Sequence, residues 1–360
     1  MTTGSRKDVA GLKISHRKVI AAAAVAVVTA LCILMFMLCR CRTYATVQFH
    51  MDTFISYYVE SSFPEKAVDA MDREVRRCEQ LFDRFSPESE ITLINANAGN
   101  YTKVSEETYR LIAEAVKLAE ENGGYFDPTL GAVSDLWGFG TDPRVPSEAE
   151  IGSAMEHVGY DRIGFMEKEG SFFVRAGEGQ SIDLGGIAKG YALRLIGEAA
   201  AEAGCRSAVI SFGGNVVLTG RGPDGRDVFS VGIRVPEENA TSAAVVLNLS
   251  GGVVSTSGSY ERFFVENGVR YCHIIDPFTG SCAAGDLVSV SVICDDPVEA
   301  DCLSTALFVR GLDSTLDALA SGEVTGVAID RSGAVYISPD LTEAVDYDSV
   351  AQGYRLEVVG

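Results

Sequence analysis

The period of the hydrophobic pattern changes once along this chain, near Cys205, and that change restricts the fold more than any other feature. Before it, apolar residues recur at helical spacing: Ala67, Val68, Met71, Val75, Cys78, Leu81 and Phe82 lie on one face of a helix expected over 61–85. Residues 105–122, opened by Ser105-Glu106-Glu107 and closed by Gly123-Gly124, read as a second helix. Further helices are expected over 147–158 and 190–203. After the change come short β-rich runs bounded by Gly, Asp and Pro: 207–211, 228–235, 243–249 and 288–293. A helix over 300–309 and strands over 326–330 and 333–337 complete the pattern. Helices followed by a meander of strands predict an α+β fold, with one domain built on a mixed, mainly antiparallel sheet and packed helices, and not a βαβ series.

One segment stands outside that domain. Val19 to Cys39 carries no charge, and 21 residues rise about 31 Å as a helix, enough to cross a bilayer. Five basic residues precede this run and Arg40 and Arg42 follow it, against the single acid Asp8. The positive-inside rule then predicts a cytoplasmic basic tail over 1–18, a transmembrane anchor over 19–39, a juxtamembrane linker over 40–50 and an extracytoplasmic domain over 51–360. A cleaved signal would want a small-residue exit, which Arg40-Cys41-Arg42 does not supply. A lipoprotein signal would want small residues directly before its Cys, and Leu31-Cys32 and Leu38-Cys39 fit that less well. The net charge of −20, despite this basic start, disfavours a nucleic-acid partner.

The chain lacks several common signatures. It has no phosphate-binding G-x-x-x-x-G-K-[ST] loop, no dinucleotide fingerprint (Gly213-Gly214-Asn215 does not qualify), no G-x-S-x-G elbow and no H-E-x-x-H. Its nine cysteines form no C-x-x-C pair, so a structural zinc site is not expected. Cys272 and Cys282 flank a turn-rich stretch; both a disulfide and buried free thiols stand open. Of four histidines, only His157 and His273 fall in the body of the expected domain.

Five stretches combine chemistry with turn residues. Gly124-Tyr125-Phe126-Asp127-Pro128-Thr129 could form an aromatic wall with an acidic anchor, or simply a C-cap and a packed loop. Asp183-Leu184-Gly185-Gly186-Ile187-Ala188-Lys189 exposes backbone where a helix begins and adds a cation, which suits a phosphate; a Gly-Gly turn with a solvated Lys is the plain alternative. Thr256-Ser257-Gly258 offers hydroxyls, and by itself reads as a hairpin turn. In His273-Ile274-Ile275-Asp276-Pro277, His273 suits a general base, though a lone His is more often a satisfied core residue. In Ala300-Asp301 through Thr305, Asp301 and Thr305 share a helix face and offer hard oxygen ligands to a divalent cation; a helix cap is the competing reading.

Taken in order, with Met51-Asp52-Thr53 and Arg84-Phe85-Ser86-Pro87 added, these stretches resemble the FAD:protein FMN transferase family, also called the ApbE family, over about 51–316. The resemblance implies an enzyme that moves FMN from its substrate FAD to a Thr or Ser hydroxyl of an acceptor redox protein, with Mg²⁺ as cofactor and AMP as leaving group. It implies a metal held by Asp301, Thr305 and a carbonyl of the glycine loop, best assigned to Gly186. It implies flavin contacts at Met51, Phe85 and the Tyr125, Phe126 and Asp127 wall, and further FAD contacts at Asp183, Lys189 and Ile275. His273, as the His inside a matched motif, is the candidate base. Phe85 stands where the family often has Tyr, and Cys302 where a small residue is usual. Two other activities share these residues: an Mg²⁺-dependent FAD pyrophosphatase and a flavin-binding protein without catalysis.

Overall fold

The computed structural model describes residues 19–21, 23–30 and 40–360. Its centre is a nine-stranded sheet in the order Arg42–His50, Thr53–Ser61, Ser207–Phe212, Asn215–Gly220, Gly252–Gly258, Leu287–Cys294, Gly326–Asp330, Ala334–Ile337 and Arg355–Val358. Neighbours are antiparallel except the last pair, which is parallel. This is the mixed, mainly antiparallel α+β architecture expected from the change of period.

Both faces of the sheet are covered, and the period of two decides which residue goes where. Val217, Val253 and Ala328 point into the main core with Val68 and Met71 of helix Pro64–Phe82, Leu193 and Ile196 of helix Ala188–Glu202, and Ala306 and Leu307 of helix Pro297–Arg310. Their neighbours Leu218, Val254 and Val327 point the other way, into a second core. There they meet Phe229, Val231 and Val245 of a three-stranded sheet made of Phe229–Arg234, Ala243–Leu249 and Val345–Asp346. A third cluster gathers Val133, Trp137 and Ile275 around a two-stranded sheet, Phe263–Glu266 with Val269–Cys272. There Trp137 Nε1 donates to the Gly280 carbonyl at 2.9 Å.

The expected helices form with slightly moved ends, and two of these shifts matter for function. The first helix stops at Phe82, leaving Phe85 beyond it on the surface. The helix expected from Gly190 begins at Ala188, which brings Lys189 into its first turn.

The expected linker over 40–50 is corrected. Arg42–His50 is a strand paired residue for residue with Thr53–Ser61, from Arg42 opposite Ser61 to His50 opposite Thr53. Its alternation sends Tyr44, Gln48 and His50 inward and Val47 and Phe49 outward, so the domain starts near Arg42. Of the expected anchor, 19–21 and 23–30 are helical. The rest of it, with the 1–18 tail, lies outside the described residues, among which no helix is long and apolar enough to cross a membrane. Cys272 and Cys282 are free thiols.

Candidate active site

Helix Pro297–Arg310 starts cleanly because Asp296 caps it, accepting from the Val298 N–H at 2.9 Å, with Pro297 in its first turn. Asp301 and Thr305 then lie one turn apart on the same face, and the Thr305 hydroxyl donates to the Asp301 carbonyl at 3.2 Å. The Asp301 carboxylate is buried, which is tolerable only with partners. Its Oδ2 accepts the Gly190 N–H at 2.9 Å and its Oδ1 accepts Asn215 Nδ2 at 2.8 Å, while Lys189 Nζ lies 4.0 Å from Oδ1. A Cβ on Gly190 would sit 2.9 Å from Asp301 Cβ, so only glycine lets the two helices approach this closely. Asn215 is held in turn by the Ser255 hydroxyl at 2.7 Å and the Thr256 N–H at 3.2 Å. Ser257 Oγ lies 3.1 Å from Thr305 Oγ1.

The glycine loop packs onto this pair. Asp183 Oδ1 accepts the Gly185 N–H at 2.8 Å and fixes the turn, and Arg84 Nε lies 3.8 Å from its Oδ2. A Cβ on Gly186 would lie 2.9 Å from Phe126 Cε2 and 4.0 Å from Thr305 Oγ1, so the loop backbone reaches the Asp301–Thr305 face. Lys189 Nζ donates to the Gly185 carbonyl at 3.3 Å. Gly213, at φ +56°, brings Thr53 and Lys189 together: a Cβ there would be 2.8 Å from Thr53 Cγ2 and 3.4 Å from Lys189 Cδ. Asp301, Thr305, Gly186 and Lys189 therefore form one cluster of oxygens and a cation, bordered by Thr53 of the N-terminal hairpin. Its donors are all hard oxygens, the set that suits Mg²⁺. Among the described residues no three His, Cys, Asp or Glu side chains gather in a softer or more acidic alternative. Burial pushes the Cys302 thiol up, so it stays protonated and does not compete as a thiolate.

The expected flavin residues are placed differently from one another. Met51 sits in the hairpin turn at φ 46°, its N–H donating to Glu79 Oε1 at 2.9 Å. Phe85 is 63% exposed, with the Arg84 guanidinium 4.8 Å from its ring centre. Tyr125 packs edge-on against Phe278 at 5.0 Å. Phe126 is buried against Gly186. Asp127 is spent on its own loop: Oδ1 accepts the Thr129 N–H at 2.8 Å and Oδ2 the Tyr160 N–H at 3.0 Å. Burial raises its pKa, and these bonds pull against that. Asp127 thus builds the wall and does not aim a free carboxylate into the cleft. Ile275 is buried beside Val133 and Trp137, so its side chain belongs to the third core.

His273 extends the two-stranded ladder. Its N–H donates to the Arg262 carbonyl at 3.0 Å, and its Nδ1 lies 3.2 Å from the same oxygen. A carbonyl only accepts, so Nδ1 carries the proton and the neutral ring keeps its free lone pair on Nε2. One edge of the residue is open to solvent. Crowding by the cleft walls, then the positive charges of Lys189 and Arg262, lower its pKa to about 4. The imidazole is therefore neutral at pH 7.

Sequence reasoning missed Asn215, Ser255 and Arg262. Asn215 follows the Gly213-Gly214 turn, whose glycines mark a tight backbone but say nothing of a carboxylate 86 residues away. Arg262 shapes the site through its carbonyl, which no side-chain motif reports.

Comparison with known proteins agrees with this geometry. The family model described as the ApbE family matches residues 46–329. The chain is 33% identical over 318 residues to the FAD:protein FMN transferase of Treponema pallidum, covering 84% of this chain and 86% of that one. It is 30% identical over 262 residues to the protein of that name from Haemophilus influenzae, covering 70% and 75%. Among solved structures, the ApbE protein of Thermotoga maritima matches with a TM-score of 0.77 at 33% identity, over 84% of this chain and 99% of that one. The apo form of the Pseudomonas stutzeri flavinyl transferase ApbE matches with a TM-score of 0.71 at 26% identity, over 81% and 92%. The glycine loop, the Asp301–Thr305 helix and the His273 turn all fall inside the matched region, and this chain belongs to the ApbE family.

Proposed function

We propose that this protein transfers FMN from FAD to a Thr or Ser hydroxyl of an acceptor protein. The observation that carries this reading is the meeting of Asp301, Thr305 and Lys189 in one cluster whose cation also acts on a neutral His273. The hydroxyl oxygen forms a bond to the FMN-side phosphorus as the bond from that phosphorus to the bridging oxygen breaks. AMP leaves with the bridging oxygen, and the hydroxyl proton goes to His273 Nε2 and then to solvent. Lys189 lies at the start of its helix, where its charge and the helix N-terminus favour phosphate oxygens. Asp301, Thr305 and the Gly186 carbonyl would hold Mg²⁺, which when bound supplies neutralisation of the pyrophosphate charge. Met51, Phe85, Tyr125 and Phe126 line the side on which the flavin ring is expected, and Asp183 and Ile275 support the loops around it.

The N-terminal segment, in this reading, anchors the domain in the cell membrane with the site on the extracytoplasmic side. Protection of the domain from added protease in intact cells would overturn that placement.

The test of the activity is intact mass. The protein is incubated with FAD, Mg²⁺ and the unflavinylated FMN-bearing domain of a redox protein. Acceptor mass raised by one FMN phosphoester, and lost on adding EDTA, is the expected result. Free FMN and AMP beside unmodified acceptor would assign a pyrophosphatase instead. Intact bound FAD would assign a flavin carrier.

A further inference from the structure

A groove of about 650 Å³ opens next to His273, lined by Asp52, Phe139, Pro143, Arg234, Tyr260 and Arg262 and ending on Phe263. Arg262 joins the groove to the site: its carbonyl holds His273, and its guanidinium donates to the Asp52 carbonyl at 3.2 Å. At Phe263 the groove meets the strand Phe263–Glu266, which pairs with Val269–Cys272 on one side only, in a two-stranded sheet.

The ladder's parity settles which backbone groups are free. The pair Arg262 and His273 is hydrogen-bonded, so the next pair, Phe263 with Cys272, is not, and Val265 with Arg270 is not. Phe263 and Val265 therefore direct their N–H and C=O away from the partner strand. Among the described residues no backbone group answers them there, and Val265 is 59% exposed. An unpaired edge of this kind is a template for another strand.

We propose that an extended segment of the acceptor polypeptide docks on this edge as a third strand, in the groove, and so delivers its hydroxyl to His273. The proposal rests on the transferase reading and names how that reaction's protein substrate is held. Strand addition recognises main chain, so it accepts many sequences. The four residues of Phe263–Glu266 span about 13 Å, room for a short extended segment. Because the ladder ends at the Arg262–His273 pair, a chain running along the edge arrives at the base. That continuity favours an acceptor segment over a second copy of this chain.

The test uses the full-length protein and the unflavinylated FMN-bearing domain as probe. In Val265→Pro the outward N–H is removed without touching a ladder bond to Val269–Cys272. The KM for the acceptor is expected to rise about tenfold or more, with FAD affinity within about twofold of wild type as the measure of an intact fold. Val265→Ala, which keeps the N–H, stays near wild type. Independently of any variant, adding the acceptor slows hydrogen exchange at the Phe263 and Val265 amides. Unchanged KM, or protection that appears elsewhere, overturns the docking site while leaving the transferase intact. Protection without acceptor, with doubled mass in light scattering, assigns the edge to self-association and also overturns it. FMN that never reaches the acceptor with wild-type enzyme overturns the transferase reading and the docking proposal together.

Discussion

Glu79 Oε1 accepts the backbone N–H of Met51 at 2.9 Å and so ties the first helix to the tip of the N-terminal hairpin. That tip needs a tie. Met51 and Asp52 both sit at positive φ, 46° and 58°, without being glycine, at a cost of about 1–2 kcal/mol each. His50 adds to the clamp through Asp72 at 2.9 Å.

Glu79→Ala is therefore expected to loosen the turn that presents Met51. A lost hydrogen bond of about 1 kcal/mol corresponds to a roughly fivefold weaker FAD affinity. Glu79→Gln, which keeps the acceptor, is expected to lose less. Quenching of flavin fluorescence on titration reads both, and equal affinities for the two variants would remove Glu79 from this role.

Asp301→Asn swaps an acceptor oxygen for a donor facing either the Gly190 N–H or the Asn215 amide. We expect at least a ~100-fold drop in kcat. A stability loss of about 1–3 kcal/mol should accompany it in urea unfolding, from the unsatisfied buried donors. A variant that keeps wild-type turnover at limiting Mg²⁺ would show that the carboxylate holds no metal.

The pH profile follows from His273. A general base must be neutral, and this one is held neutral down to about pH 4. The acid limb of kcat/KM is thus expected near 4, well below the usual imidazole value of about 6.5. Arg262→Met removes one nearby positive charge while keeping the carbonyl that orients the ring. The limb should then move to higher pH. A limb that stays in place would mean another group controls it.

Gly190→Ala tests the close approach of the two site helices. The added methyl would overlap the Pro297 carbonyl and the Asp301 side chain, both on the helix that carries the metal residues. The cost of such overpacking is about 1–3 kcal/mol. Thermal unfolding and Mg²⁺ dependence should shift together, whereas Gly204→Ala, at a glycine with open space around it, should leave Mg²⁺ dependence unchanged.

Much of this molecule is legible along the chain, where short-range chemistry decides. The change of period near Cys205 reports the α+β class because side-chain alternation and helical spacing are local properties. Asp301 and Thr305 are visible for the same reason: one helical turn puts them on one face. Lys189 and the glycines before it announce exposed backbone at a helix start. The hairpin at 42–61 escaped notice because its turn, Met51-Asp52, lacks the glycine that usually marks one, and its strand looked like a linker beside an apolar run.

The tertiary structure alone decided which of those residues act together. Asp301 meets Gly190 across 111 residues and Asn215 across 86, contacts that exist because the sheet brings distant strands into register and the buried carboxylate takes whichever donors surround it. Asp127, an acid in a promising motif, is used up by its own loop, while Arg262, in no motif at all, orients the base through its carbonyl. Residue type and spacing determine what a group can do; burial and the placement of backbone donors determine whether it is free to do it.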